Sequence, residues 1–188
     1  MKHKIIETSI SLFGQHGFKE TSIQDIVDQL GLTKGTFYYY FKNKEEILVQ
    51  IHEQFIDDLL TKQKDIIDSS RPVKQRLYDL VTMMIRNIRT SVNSAMIFFR
   101  EMRHLSEEKL SYVRKKRDLF QQNIEELIRE GIEKDEFKKE LRADMVSYMI
   151  LGITNWSYFW YEPDGEVPEG QLADMYTTIL LQGMEQRR

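Results

Sequence analysis

Few side chains in this sequence are placed to make or break covalent bonds. Its four histidines, His3, His16, His52 and His104, lie far apart and form no H-x-x-x-H ligand pair. There is no Gly-rich phosphate loop, no G-x-S-x-G nucleophile elbow and no cysteine. Thiol catalysis, a Cys-ligated zinc, an iron–sulfur cluster and a disulfide framework are thereby excluded. No catalytic or metal-ligating residue is nominated, no cofactor is expected, and the scattered carboxylates read as solvated helix faces. A different chemistry is concentrated at Thr33, Lys34, Gly35 and Thr36, then Tyr38, Tyr39 and Tyr40, then Lys42 and Lys44. Hydroxyls, rings and ammonium groups at this density suit phosphates and base edges. Glycine costs about 1 kcal/mol against alanine inside a helix, so Gly35 makes sense where backbone must approach another surface closely.

Positioning those side chains falls to helices. The chain has 188 residues, 41% hydrophobic and 11% aromatic, which suits one ordinary domain or a small module fused to a larger one. Only Pro72, Pro163 and Pro168 interrupt it, and apolar residues recur at three- and four-residue spacing. The pattern predicts an all-α protein of about nine helices. The first buries Ile5, Ile6, Leu12 and Phe13 and ends at Gly17. The second opens in a capping box from Thr21 to Gln24 and buries Ile23, Ile26, Val27 and Leu30. Gly31 and Leu32 turn the chain, Thr33 caps a third short helix, and Phe37 and Phe41 anchor it. Aromatics also favour strands, but the Thr33 cap and the restart at Asn43 favour a helix, from which three consecutive tyrosines cannot all point inward. Asn43 to Glu46 forms a further capping box, opening a fourth helix toward residue 68. Later helices are predicted over about 72–92, 94–104, 106–134, 141–161 and 168–186. The roughly 47 residues before the fourth helix are too few for a robust core of their own and should pack on it.

Two short helices joined by a Gly-containing turn, the second with exposed polar residues, follow the helix-turn-helix plan. The capped start of the second helix also offers backbone N–H groups near Ser22 to a phosphate. The net charge of −3 hides its distribution. Residues 31–44 hold three Lys and no acid, and residues 86–117 hold nine Lys and Arg against three acids. These basic zones mark places for anions, or else solvated faces. No apolar run is long enough to span a membrane and the N-terminus lacks a signal core, so a cytoplasmic location without membrane contact is expected.

Residues 5–48, above all the run Gly31 to Leu48, resemble the DNA-binding domain of the TetR family of repressors. The resemblance implies a homodimer with a DNA-binding domain over 1–47 and an effector-binding and dimerisation domain over 48–188. It implies repression on a palindromic operator, relieved by a small ligand. It places Ser22, Thr33, Lys34, Gly35, Thr36, Tyr38, Tyr39, Tyr40 and Lys44 at DNA-contacting positions. Tyr40 departs from the pattern, since relatives often carry His there.

Toward the C-terminus, Ile150, Ile153, Leu172, Tyr176, Ile179, Leu180 and Gly183 fall on faces that suit a four-helix dimer interface, or an intramolecular core. The segments Phe99 to Arg103, Lys116 to Asp118, Gly152 to Trp156 and Trp160 to Gly165 resemble a branch of the family that answers to acyl-CoA thioesters. Such a ligand needs an apolar lining and cations for its phosphates. Met96, Phe99, Phe120 and Trp156 are candidates for the lining, and Asn155 for a hydrogen bond. Arg86 with Arg89, and Arg100 with Arg103, are spaced i, i+3 to meet phosphate. The same residues fit a plain helical core with surface salt bridges. A repressor answering to an aromatic or cationic drug, and a helical interaction module without DNA binding, remain the alternatives.

Overall fold

The computed structural model describes residues 1–185 and contains eight α-helices. They are α1 (Lys2–His16), α2 (Ile23–Leu30), α3 (Lys34–Tyr40), α4 (Lys44–Ile67), α5 (Val73–Arg100), α6 (Glu107–Glu133), α7 (Ala143–Trp160) and α8 (Glu169–Met184). The expected all-α class holds. The break expected between helices near residue 93 is instead a kink inside α5, at Ser91 with φ −135° and ψ 18°. A short 3-10 turn, Met102–His104, then leads into α6. The end predicted at residue 186 lies outside the described residues.

Local signals set most of the ends. Gly17 closes α1 at φ 91° and Gly31 closes α2 at φ 63°, left-handed values that favour glycine. Thr33 caps α3 by accepting the Thr36 N–H, and Asn43 accepts the Glu46 N–H at the start of α4. The α2 cap lies one residue later than expected. Ser22, not Thr21, accepts the Asp25 N–H, and the Asp25 carboxylate reaches back to the Ser22 N–H at 2.7 Å. Thr21 points inward and donates to the Gly17 carbonyl at 2.8 Å.

Two compact units result, with their boundaries inside α4, α5 and α6. The first combines Met1–Asp57 with Ser91–Lys115. Its core is built from Ile5, Ile6 and Phe13 of α1, Ile26 and Val27 of α2, Phe37 and Phe41 around α3, and Ile47, Leu48 and Ile51 of α4. The N-terminal helices thus pack on α4 as anticipated, but a second support was not anticipated. Phe98 of α5 stacks near Phe55 and His52 of α4, at 5.0 and 5.4 Å between ring centroids. Phe18 sits 5.6 Å from the His104 ring, and Glu45 accepts the Ser106 N–H at 2.8 Å.

The second unit combines Asp58–Thr90 with the chain from Lys116 onward. Leu77, Leu80, Val81 and Ile85 of α5, Ile124, Leu127 and Ile128 of α6, and Ile150 of α7 are buried there. Two buried amides are paired across helices: Gln63 donates to the Phe120 carbonyl at 2.9 Å, and Asn87 to the Tyr158 hydroxyl at 3.0 Å. Burial pushes the Tyr158 phenol up to about 12, so it stays protonated at all ordinary pH. Gly131 of α6 is demanded by packing, since a Cβ there would lie 2.3 Å from the fully buried Phe137 ring. Gly131→Ala would gain about 1 kcal/mol of helix propensity. We expect overpacking to win, with a net loss of about 2 kcal/mol read as a lowered thermal midpoint.

Candidate nucleic-acid interface and effector region

Short local interactions shape the reading surface of the first unit. Thr33 accepts the Thr36 N–H at 3.2 Å, and the two hydroxyls lie 3.1 Å apart, which starts α3 with both side chains on its first turn. Phe37 faces inward with no exposure, pinning one side of the helix. The other side is left to solvent: Thr33, Lys34 and Gly35 are exposed, Thr36 and Tyr40 are half-buried, and Tyr38 and Tyr39 are exposed. Tyr39 retains 82% of its accessible surface, its ring edge-on to Tyr40 at 4.9 Å between centroids. A Cβ on Gly35 would meet only the Thr33 hydroxyl, at 3.6 Å. Nothing inside the described chain therefore requires glycine at that position.

Ser22 is exposed at the start of α2, but the anion-binding site expected there is partly filled from within. Asp25 already holds the Ser22 N–H, and the hydrogen bonds from Ser22 lower the Asp25 carboxyl below its usual range. The Ser22 hydroxyl accepts from Asp25 and keeps its own hydrogen to donate. Lys44 departs furthest from expectation. Its ammonium does not project to solvent; it donates to the carbonyls of Phe18 and Thr21, with a longer contact to Lys19 at 3.4 Å. It also stands 4.4 Å from the Phe18 ring centroid.

The residues nominated for an effector fall in both units. Met96 and Phe99 are half-buried and Arg100 and Arg103 exposed in the first, where Arg103 donates to the His104 ring at 3.3 Å. In the second, Phe120 is buried, Asn155 is half-buried, and Trp156 is 65% exposed, stacked on Phe159 at 5.3 Å. Arg86 and Arg89 do converge from one face of α5, but on carboxylates. Glu169 lies 3.7 Å from Arg86 and 3.5 Å from Arg89, and Asp164 lies 2.8 Å from Arg89. This part of the basic stretch is spent on holding the α7–α8 loop.

The nominated dimer face is divided by the fold. Ile150, Leu172 and Leu180 are buried within their own unit, so they belong to its core. Ile153 and Tyr176 are half-buried, with the Tyr176 hydroxyl 2.9 Å from Ser157, and Gly183 is exposed. Ile179 is 68% exposed. The structure also exposes Met149, which shares the last two helices' apolar stripe, and residues outside that stripe: Met145, Tyr148, Phe159 and Trp160 on α7, and Met175 on α8. An apolar recess of about 370 Å³, walled by Met149, Ile153, Tyr176, Ile179 and Gly183, opens within this face. Helix α7 is apolar on more than one side, and the second side was the available signal. Among the described residues no helix is long and apolar enough to cross a membrane.

Residues 5–51 match the family described as bacterial regulatory proteins, tetR family, and residues 70–184 match the tetracyclin repressor-like C-terminal domain. The HTH-type transcriptional repressor KstR2 of Mycobacterium tuberculosis is 28% identical over 183 residues, covering 96% of this chain and 91% of its own. The solved structure of that ketosteroid regulator superposes with a TM-score of 0.90 at 27% identity, over 99% of this chain and 95% of that one. The fatty acid metabolism regulator protein of Bacillus subtilis is 23% identical over 81% of each chain. AibR, solved with isovaleryl coenzyme A and operator DNA, shares the fold with a TM-score of 0.86 at 22% identity, over 96% of this chain and 97% of that one.

Proposed function

Because the chain belongs to the TetR family of bacterial transcriptional regulators, we propose that it is a dimeric repressor that reads a palindromic operator and is released by an acyl-CoA thioester. The observation that carries this reading is the face of α3, where Thr33, Lys34, Gly35, Tyr38 and Tyr39 are exposed on a helix whose opposite side is locked by Phe37. Inserted N-terminus first into the major groove, this helix would meet base edges through Thr33, Lys34 and Thr36. Gly35 would allow backbone to close on the DNA. Tyr38, Tyr39, Tyr40 and the Ser22 hydroxyl would reach phosphates, which fix register without carrying sequence information. A second copy, joined through the exposed α7 and α8 face, would set the two α3 helices about 34 Å apart, one turn of the duplex.

The effector class is supported by the relatives. The names of KstR2 and of the B. subtilis regulator refer to ketosteroid and fatty acid metabolism, and the AibR fold accommodates an acyl-CoA together with operator DNA. The chain's own contribution is adaptable apolar side chains, Met96 and Phe99 in the first unit and Phe120 in the second. Candidates for its phosphate contacts are Arg100 and Arg103 in the first unit, and Arg86 and Arg89 in the second, which would exchange Glu169 and Asp164 for phosphate. Trp156 and Asn155 lie on α7, the helix that also carries the dimer face. Release would follow from moving the first half of α4 or the 91–115 segment, because both share a compact unit with the reading helices. A coupling of about 1–3 kcal/mol weakens operator affinity several-fold to a hundredfold.

A thermal-shift panel of free CoA, short, long and aromatic acyl-CoAs and cationic dyes tests the effector. A ligand at 100 times its dissociation constant stabilises the native state by about 2.7 kcal/mol, which is readily seen. We expect stabilisation by one acyl-CoA class but not by free CoA or dyes, and release of bound DNA by that class. A response to dyes alone would replace the acyl-CoA with a drug-like ligand.

A further inference from the structure

Lys44 is the first residue of α4, and its ammonium is the point at which that helix grips the α1–α2 turn. An ammonium has three donors and no acceptor. Here they are directed at the carbonyls of Phe18, Thr21 and, at 3.4 Å, Lys19, with the Phe18 ring lying over the charge at 4.4 Å. Burial lowers the Lys44 pKa, against the pull of Glu20, Asp25 and Glu101. The turn that receives it is firm. Gly17 opens it at positive φ, and its carbonyl accepts the Thr21 hydroxyl at 2.8 Å and the Thr21 N–H at 3.3 Å. Ser22, the α2 cap, follows Thr21 directly. The neighbouring Glu45 faces a different element and holds the Ser106 N–H at 2.8 Å.

From this arrangement we propose that Lys44 is a positioning residue for DNA reading, which sets the place of Ser22 and the start of α2 relative to α4, and is not itself a phosphate contact. The inference rests on the DNA-binding reading above. To reach a phosphate, the ammonium would have to leave the Phe18 and Thr21 carbonyls, and would release the turn that presents Ser22. Lys42, exposed two residues earlier, is the lysine that would neutralise a phosphate in its stead.

The two roles separate in the salt dependence of binding. Each phosphate neutralised adds about 0.9 to the magnitude of the slope of log affinity against log salt. The probe is a duplex selected from a randomised pool by the wild-type dimer. Lys42→Gln is expected to flatten the slope by about 0.9. Lys44→Met is expected to leave the slope within about 0.3 of wild type while lowering affinity roughly tenfold. Lys44→Arg keeps the charge but replaces a compact ammonium, whose donors reach the Phe18 and Thr21 carbonyls, with a longer planar group. It should lose affinity like Lys44→Met, whereas a phosphate contact would survive the change. Combining Lys44→Met with Ser22→Ala should cost little more than Lys44→Met alone, since the contact that Ser22 makes depends on its placement. A slope flattened by about 0.9 in Lys44→Met, or near-wild-type affinity in Lys44→Arg, would overturn the proposal. If Lys44→Met loses its helical signal, Lys44→Arg and its slope decide the matter. Failure of the wild-type protein to select any duplex would sink the DNA-binding reading itself, a different result from either of these.

Discussion

Ile179→Arg is expected to convert the protein to a monomer and to weaken binding to its selected duplex at least a hundredfold. The side chain is 68% exposed and stands beside the recess walled by Met149, Ile153 and Gly183, so arginine costs its own chain little. Across an interface the same guanidinium would be desolvated against Met and aromatic side chains, and an unpaired buried charge costs several kcal/mol. The loss on DNA follows from valency. Two half-sites read by one dimer gain about 10²–10⁴ over a single reading head, and a monomer forfeits that factor without losing any direct contact. Sedimentation or light scattering reports the oligomeric state, and circular dichroism checks that helical content is kept. A variant that remains dimeric would remove this face from the interface.

Gly35 offers the second large effect, and one in which stability and function should move in opposite directions. A methyl group at that position meets only the Thr33 hydroxyl at 3.6 Å, which is ordinary van der Waals contact. Gly35→Ala should therefore gain much of the roughly 1 kcal/mol by which alanine outranks glycine in a helix, raising the thermal midpoint. Against DNA the methyl group stands between backbone and duplex, and affinity for the selected duplex should fall about tenfold. Gly35→Glu adds bulk and a negative charge facing phosphates, and binding should fall by more than a hundredfold with the fold intact. Unchanged binding by Gly35→Glu would show that α3 does not enter the groove by its first turn.

The two substitutions differ in how visible their sites were beforehand. Gly35 is legible from sequence because its meaning is local: a glycine in the first turn of a short helix, between a Thr33 cap and a Phe37 anchor, is a cost without an internal reason. Ile179 was named among seven interface residues, yet three of the seven, Ile150, Leu172 and Leu180, belong to the core of their own chain. Helix periodicity shows that α7 and α8 each carry apolar faces. It does not show which face meets another helix of the same chain and which is left for a second copy. Tyr148, Phe159 and Trp160 carry no local signal that would separate the two cases.

Partners distant in sequence account for the remaining differences. Arg86 and Arg89 were paired correctly by spacing, but Glu169, which both reach, lies on another helix. The capping box of α2 slipped by one residue because Thr21 and Ser22 are both capable caps. The Gly17 carbonyl, which takes the Thr21 hydroxyl, settled the choice. Segment 91–115 joined the compact unit of the reading head through Phe98, His104 and Ser106, none of which carries a local signal of that association.

By itself the sequence determined the all-α class, the helix-turn-helix, its caps at Thr33 and Asn43, its left-handed glycines and the exposed chemistry of α3. These are consequences of interactions over one to four residues, where steric limits and hydrogen-bond geometry leave few choices. Tertiary structure alone decided that Lys44 holds a turn, that Arg89 holds a loop and which side of α7 remains bare. A cation or an apolar face has many acceptable partners, and only the packed chain determines which one comes within a few ångströms.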